Sequence, residues 1–287
     1  IDVIDLDDPF CITCKNEPIL KHTDHLFLKL QEFEKELEEY FLDGDKCILS
    51  NNALAITKAF IKSGLKSRPI TRDLKWGTPI PTNRPGLKKY EGKVMYVWFD
   101  APIGYLSILK HNVDDWEKWL INSNWVQFMA KDNVPFHTVI FPSTLMGFNK
   151  NNTKKLPLVT NLSATEYLNY EGSKFSKSEN KGIFGDDVMA LSEKLGITSD
   201  YWRYYLIKIR PESDDSSFNM EDFVTQTKAD LVKNFGNFVN RCICLAKKYF
   251  ESDITFNINN FNDDNRNITI IILEYSKLME CIKLKDG

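Results

Sequence analysis

Two short runs constrain the fold of this chain more than any other feature. Val94–Phe99 is apolar on both faces, and Val126–Ala130 is a second run of strand length. A strand buried on both sides belongs in a parallel sheet, because crossover connections lay helices on both of its faces. Each run ends in a polar turn carrying an aspartate, Asp100-Ala101-Pro102 after the first and Lys131-Asp132 after the second. In open α/β sheets ligands bind beyond the carboxyl ends of the strands, so these turns are the first candidates for chemistry. The segment after the second run is helical in pattern from Asn133, with Pro135 in the tolerated first turn. Pro142 has to kink or end that helix.

The flanking sequence is mostly helical. Residues 25–30 alternate weakly, as a short strand does, and Leu30, Phe33, Leu37 and Phe41 then recur at spacings of three and four. That spacing predicts an amphipathic helix with an acidic outer face. Ser50 caps a second helix carrying Ala53, Ile56 and Phe60, and Gly64 stops it. Residues 65–92, with Pro69, Pro79, Pro81 and Pro85, read as loop with short extended pieces. Asp186 and Asp187 open a helix with Val188, Leu191 and Leu195 that stops at Gly196. Thr198 and Ser199 open another, with Trp202, Tyr205 and Ile209, that stops before Pro211. Asn219 caps a long helix to about Phe250. Its Leu231, Phe235, Phe238, Cys242, Leu245 and Tyr249 form the seam of a helical bundle. Residues 251–267, rich in Asn and Asp, read as loop, and a last helix begins near Ile268.

The 37 basic and 40 acidic residues leave a formal net charge of −3. This excludes a chain held to nucleic acid by bulk positive charge, so any such contact needs a local basic face. No run approaches the ~18 apolar residues of a membrane span, so no membrane partner is expected. Among six cysteines only Cys11 and Cys14 have a motif-like spacing, unlike a secreted disulfide framework. Cys11-x-x-Cys14 is half of a tetrahedral zinc site. His22 and His25 can complete it within this chain, though across a gap shorter than the usual finger. The other four cysteines read as small buried residues, and Asn-x-Ser/Thr at Asn151, Asn161 and Asn267 as chance matches. The chain begins at Ile1 without an initiator Met, which suggests a fragment.

The most specific feature is Gly172-Ser173-Lys174-Phe175-Ser176-Lys177-Ser178. Two lysines three apart, with hydroxyl residues between them and a glycine before, can aim two ammonium groups and several N–H donors at one anion. A polyphosphate suits such a loop; a merely solvated basic loop has the same composition.

The run KFSKS resembles the KMSKS loop of class I aminoacyl-tRNA synthetases, with Phe175 in place of Met. YVWFDAPIGYLS (residues 96–107), AKDNVPFHTVIFP (130–142) and ATEYLNYEGSKFSKS (164–178) resemble, in order and spacing, blocks of the methionyl-tRNA synthetase family. The last block is in the form typical of cytosolic eukaryotic and archaeal-type members. The resemblance covers about residues 11–249 and implies an α/β fold, the second half of a class I Rossmann-type doubly wound parallel sheet, followed by an α-helical bundle. It implies four divisions. Residues 1–92 are the remainder of a connective zinc-knuckle insertion, and 93–170 the second half of the Rossmann domain. Residues 171–218 hold the KMSKS loop and stem-contact region, and 219–287 the start of an anticodon-binding domain. The family's other ATP motif, HIGH, is lacking: none of His22, His25, His111 and His137 stands in a His-x-Gly-His context. That half of the catalytic domain is therefore an expected partner.

The reaction implied is ATP-dependent activation of methionine to methionyl-adenylate and its transfer to tRNA(Met), in the cytoplasm. Lys174 and Lys177 then act as electrostatic residues on the departing phosphates, with Mg²⁺ sharing the task. Arg72 resembles an arginine near the phosphate of the activated amino acid; a loop salt bridge to Asp73 is its alternative. ATP is implied to contact Asp132, Leu168, Lys174, Ser176 and Lys177, with Asp132 on the ribose hydroxyls and Leu168 beside the adenine. A helix N-cap is the compatible alternative for Asp132. Methionine is implied to meet Trp98, Ala101, Pro102, Tyr105, Asn133, His137 and Phe141, of which Asn133 and Phe141 vary within the family. A satisfied core histidine is the alternative for His137. Asn237 and Arg241, i and i+4 on one helix face, match a pair that reads the anticodon; a solvated face is their alternative. Zinc belongs with Cys11 and Cys14 in the parent protein. A non-catalytic tRNA-binding or assembly module that keeps the fold is the competing function, and a synthetase for Leu, Ile or Val fits the pocket blocks less well.

Overall fold

The computed structural model describes residues 9–249 except 12, 13, 20, 21, 44 and 45. The loop expected over 251–267, the helix near Ile268 and Cys281 lie outside the described residues. The chain opens with β1 (Phe27–Leu28), a 3-10 turn over Leu30–Phe33, α1 (Glu34–Phe41), β2 (Ile48–Leu49) and α2 (Asn51–Lys62). Leu30, Phe33, Leu37 and Phe41 are all buried, and with Ile61, Val139 and Met146 they make one core. The three-and-four spacing puts them on a single stripe, as expected. Ser50 does stand at the N-cap of α2, but its hydroxyl is used elsewhere. It accepts from the Ala164 N–H at 2.9 Å, tying the helix start to the sheet. Gly64 ends this segment at φ 81°, a conformation that suits glycine.

The loop region holds β3 (Arg68–Pro69), antiparallel to β1, and β4 (Thr71–Arg72), antiparallel to β5 (Val94–Met95). The doubly buried parallel strand expected over Val94–Phe99 does not form. β5 covers two residues of it, and the chain then turns at Tyr96 into α3 (Val97–Asp100). The N–H groups of Phe99 and Asp100 both donate to the Tyr96 carbonyl, at 2.8 and 3.2 Å. Pro102 falls within the first turn of a further 3-10 turn over Ala101–Ile103, a position where its missing N–H costs nothing. The apolar residues therefore line a helical turn. Val97 and Trp98 are 54% and 55% exposed. A short apolar run does not by itself separate strand from helix.

Beyond it come α4 (Gly104–Asn112), α5 (Trp116–Asn122) and β6 (Val126–Ala130), the last with the expected bounds. A 3-10 turn over Lys131–Asn133 and a π turn over Phe136–Ile140 lead into α6 (Phe141–Asn151). The π turn is how the helix passes Pro142. The Phe141 N–H donates to the Phe136 carbonyl five residues back, and the widened turn relieves the clash a proline ring makes with an ordinary one. Side-chain hydroxyls add hydrogen bonds along this stretch: Thr138 Oγ1 donates to Val134 O at 3.0 Å, and Ser143 Oγ to Val139 O at 2.7 Å.

β7 (Asn161–Thr165) lies parallel to both β2 and β6, giving a three-stranded parallel sheet in the order β2-β7-β6. α2 and the segment at Val134 cover one face through Ala53, Leu162 and Ala164. Next come β8 (Leu168–Tyr170), α7 (Gly185–Leu195), α8 (Ser199–Lys208) and β9 (Ser216–Phe218), which pairs parallel with β8. The N-cap of α7 is Phe184, and Asp187 accepts from its N–H at 2.9 Å. Gly196 ends α7 at φ 64°. α9 (Met220–Thr227) is capped by Asn219, whose side chain accepts from the Asp222 N–H at 2.9 Å. Trp202, Tyr205, Phe218 and Phe223 stack into a second, aromatic core. A π segment over Lys228–Gly236 continues into α10 (Asn237–Tyr249). Phe235, Phe238 and Leu245 of the expected bundle seam are 64%, 65% and 55% exposed. No helix of the described residues is long and apolar enough to cross a membrane.

Candidate active site

The carboxyl end of β6 gathers charge. Lys131 Nζ pairs with Glu166 and lies 3.4 Å from Asp215 Oδ1, and Asn52 Nδ2 donates to Glu166 Oε1 at 3.2 Å. These contacts hold Glu166 below the usual carboxylate range, chiefly through the Lys131 hydrogen bond, and raise Lys131 in return. Asp132, the next residue, accepts from the Tyr167 hydroxyl at 2.5 Å, a bond that pushes the tyrosine up. The Asp132 carboxylate is thus engaged with Tyr167 and does not cap the 3-10 turn it lies in, whose N-cap is Ala130. Asp215 accepts from the Tyr167 N–H at 2.9 Å, which holds it low, with Lys131 and Lys174 adding to the effect.

The basic loop lies beside this cluster. Lys174 Nζ sits 5.6 Å from the centre of the Tyr167 ring. Ser176 and Lys181 exchange both backbone hydrogen bonds, at 2.9 and 2.8 Å, closing a tight hairpin around Lys177. Ser176 Oγ accepts from the Glu179 N–H at 3.3 Å. The turn needs a positive φ at Asn180 (50°) and Gly182 (138°). A Cβ on Gly182 would lie 2.4 Å from Cδ1 of Phe175, whose ring packs on Tyr170 at 5.4 Å. Lys174 and Lys177 are both exposed. Leu168 opens β8 against β9 and packs on the aromatic core, half-buried.

The second group of expected residues meets around His137. Its Nδ1 lies 2.8 Å from the Asn133 carbonyl and its Nε2 2.9 Å from the Tyr105 hydroxyl. A carbonyl only accepts, so Nδ1 carries the proton and Nε2 accepts from the Tyr105 O–H. His137 is 8% exposed, and burial lowers its pKa, so the ring is neutral. Tyr105 is 44% exposed, leaving one end of this pair open. Phe141 packs against Tyr105 and Trp125 at 6.2 and 5.9 Å and belongs to the core with Leu106, Leu120 and Leu145. Trp98 meets Phe136 edge-on at 4.9 Å and Tyr96 at 5.4 Å. Pro102 is buried; Ala101 and the Asn133 side chain are exposed.

Arg72 joins the same ring series. Its guanidinium carbon lies 3.7 Å above the Tyr96 ring, and Nη1 donates to the Thr71 carbonyl at 2.8 Å. Asp73 pairs instead with Lys93, accepts from Thr23 Oγ1 at 2.7 Å and lies 3.8 Å from His25 Nε2. The alternative salt bridge to Arg72 is therefore not made.

Cys11 and Cys14 lie on one turn: the Lys15 N–H donates to the Cys11 carbonyl at 2.8 Å, with Lys15 at φ 60°. The self-contained zinc site is not assembled. His25 is engaged with Thr71 Oγ1 at 2.9 Å, and no group of three or more candidate ligands occurs among the described residues. Asn237 and Arg241 are both exposed on α10, apart from these groups in sequence and element.

The profile of the family described as tRNA synthetases class I (M) matches residues 1–243. The chain belongs to this family. It is 48% identical over its whole length to the methionine–tRNA ligase of Acanthamoeba polyphaga mimivirus, covering 50% of that protein. It is 46% identical to that of Borrelia garinii subsp. bavariensis, with 99% of this chain and 37% of the relative covered. The cytoplasmic human enzyme is 43% identical, with 100% and 31% covered. The chain thus spans half or less of the curated relatives it matches. Among solved structures, Mycobacterium tuberculosis methionyl-tRNA synthetase in complex with methionyl-adenylate superposes with a TM-score of 0.72 at 23% identity. That likeness covers 95% of this chain and 51% of the other, and speaks for the fold, an α/β class I synthetase fold with a parallel sheet.

For a class I (M) synthetase chain, the residues that sequence reasoning missed are those joining the β8–β9 region to the parallel sheet. Tyr167, Glu166 and Asp215 hold the basic-loop region to the end of β6, and Arg210 bridges Ser163 Oγ at 2.8 Å and Glu212 at 2.6 Å. Tyr167 stands in the block that runs into KFSKS, but nothing local in that block signals its contact with Asp132. The Asp215 contacts depend on the β8–β9 pairing, which no local pattern reveals.

Proposed function

We propose that this chain is the C-terminal part of the catalytic core of a methionyl-tRNA synthetase, with the start of its anticodon-binding domain. It takes part in activating methionine with ATP and in charging tRNA(Met) for translation, in the cytoplasm. The observation that carries the reading is one juxtaposition. The KFSKS hairpin leans through Lys174 on Tyr167, and Tyr167 is bonded to Asp132 at the carboxyl end of β6. A phosphate-binding loop and a ribose-binding carboxylate are brought together by one side chain.

The chemistry follows. The methionine carboxylate attacks the α-phosphorus of ATP, the bond to the bridging oxygen breaks, and pyrophosphate leaves with the electron pair. No proton moves in the step. Charge grows on the departing phosphates, and Lys174 and Lys177 stabilise it. When bound, Mg²⁺ would add to that charge neutralisation, and the phosphates rather than this chain's side chains would supply most of its oxygens. The residues around His137 recognise methionine. A neutral imidazole fixes the Tyr105 hydroxyl, while Trp98, Pro102 and Phe141 offer apolar and aromatic surface to the thioether. Arg72, aligned on Tyr96, serves the phosphate of the activated amino acid.

Asp132 takes the ribose hydroxyls, and Asn237 with Arg241 the anticodon. Cys11 and Cys14 supply half of a zinc site, and the other half lies outside this chain. The four divisions, 1–92, 93–170, 171–218 and 219–287, are those of a class I synthetase whose HIGH-bearing half-sheet belongs to the rest of the protein. The test is amino-acid-dependent ATP–pyrophosphate exchange by the full-length protein. Exchange with methionine and not with leucine, isoleucine or valine is expected. No exchange with any amino acid would favour the non-catalytic tRNA-binding module.

A further inference from the structure

Tyr167 stands where β7 gives way to β8, and both of its backbone polar groups are fixed. Its N–H donates to Asp215 Oδ1 at 2.9 Å and its carbonyl accepts from the Ser216 N–H at 3.0 Å. The preceding Glu166 donates its N–H to the Pro211 carbonyl at 2.8 Å and holds Lys131 by its side chain. A tyrosine anchored in this way presents its hydroxyl at a defined point. That point is Asp132 Oδ2, at 2.5 Å, within the range of a charge-assisted O–H···O⁻ bond. A carboxylate has about four acceptor positions, and Tyr167 takes one. The other oxygen of Asp132 accepts no hydrogen bond among the described residues.

The ring does a second thing. Two ammonium groups lie near it, Lys131 at 4.3 Å and Lys174 at 5.6 Å from its centre. Both are within the ~6 Å over which a cation is attracted to an aromatic face. Lys131 is also neutralised by Glu166 and Asp215, whereas Lys174 makes no ion pair within the described residues. Lys174 is therefore held near the site by the ring with no direct ion-pair contact among the described residues, only a longer-range attraction to Asp215.

We propose that Tyr167 is a positioning residue for the nucleotide. Its hydroxyl fixes one oxygen of Asp132 so that the other meets the ribose, and its ring sets the resting place of Lys174, linking ribose recognition to the phosphate-binding loop. This rests on the ATP reading above, and the test separates the two.

The experiment compares ATP with 2′,3′-dideoxy-ATP in methionine-dependent pyrophosphate exchange by the full-length enzyme. Tyr167→Phe keeps the ring and loses the hydroxyl. It is expected to raise the KM for ATP about tenfold, the scale of one hydrogen bond to a charged group. The KM for the dideoxy nucleotide should stay unchanged, and so should kcat for both. Tyr167→Leu removes the ring as well and should lower kcat with both nucleotides. Equal weakening of both nucleotides by Tyr167→Phe would make the residue structural and overturn the proposal. So would no change, or a lower KM for ATP, which would make the hydroxyl a competitor of the ribose. If the wild-type enzyme does not distinguish the two nucleotides and Asp132→Asn alters neither KM, the ribose role of Asp132 fails and the proposal falls with it.

Discussion

Tyr105 and His137 form a pair in which one partner is buried and the other open, at 8% and 44% exposure. Removing the hydroxyl leaves the buried Nε2 unsatisfied and loosens the open end, which the proposed function turns toward methionine. Tyr105→Phe should therefore raise the KM for methionine about tenfold, typical of a lost polar partner, with little change for ATP. Steady-state exchange kinetics with each substrate varied in turn check this; equal effects on both would move Tyr105 out of the methionine pocket. His137 also makes stability depend on pH. Burial lowers its pKa below the ordinary ~6.5, so on acidification the unfolded chain takes up a proton that the folded one resists. Stability should fall as the pH drops through about 6.5, with His25 contributing in the same sense for the same reason. His137→Gln should flatten that slope in urea titrations between about pH 7.5 and 5.5; an unchanged slope would mean that His137 is not buried neutral. At this scale much was legible. Asn133, His137 and Phe141 follow at helical spacing in one block, and the Tyr105–His137 bond joins it to the other block. The role of Tyr167 was not legible, because nothing local in ATEYLNYEG says that its hydroxyl reaches Asp132.

The basic loop is a hairpin whose shape depends on Gly182. At φ 138°, and with a Cβ placed 2.4 Å from Phe175, Gly182→Ala strains the turn by about 1–3 kcal/mol. The loop is exposed, so the strain should appear locally, as faster amide exchange over 174–182 and a several-fold higher KM for ATP, with the thermal midpoint nearly unchanged. An unchanged KM would mean that the hairpin conformation does not matter to nucleotide binding. On α10, Arg241 is exposed and distant in sequence from the adenylate-forming residues. Arg241→Ala should lower charging of tRNA(Met) and spare methionine-dependent exchange, whereas a parallel fall in both would make the residue structural. Elements whose apolar residues repeat at 3.6 were readable in advance, as Leu30 to Phe41 and Trp202 to Tyr205 illustrate. β6 was readable because Lys131-Asp132 bounds it. Val94–Phe99 misled because six apolar residues fit a helical turn as well as a strand, and Asp100-Ala101-Pro102 favours the turn.

Across the whole molecule, both outer strands of the parallel sheet, β2 and β6, lack a further neighbour among the described residues. β6 is unpaired on its far edge, and Val126 and Phe128, which share one face of it, are 39% and 57% exposed. In the same strand Gln127 is buried, with neither amide atom bonded within the described residues. An unpaired parallel strand with apolar residues showing fits a chain that spans half or less of its curated relatives, and whose sequence has KFSKS without HIGH. On the proposed function, the lysines of this chain would act on a nucleotide that the rest of the protein holds from the other side. The most direct measurement is methionine-dependent ATP–pyrophosphate exchange by the full-length protein carrying Lys177→Ala. Lys177 is exposed, and its carbonyl has one backbone contact, accepting from the Asn180 N–H at 3.3 Å. Its side chain can therefore be removed without disturbing packing. Exchange should fall by ~10²-fold or more, with methionine affinity intact, as for a lost electrostatic donor to a transition state. Wild-type rates in the variant, or a loss confined to methionine affinity, would contradict the account.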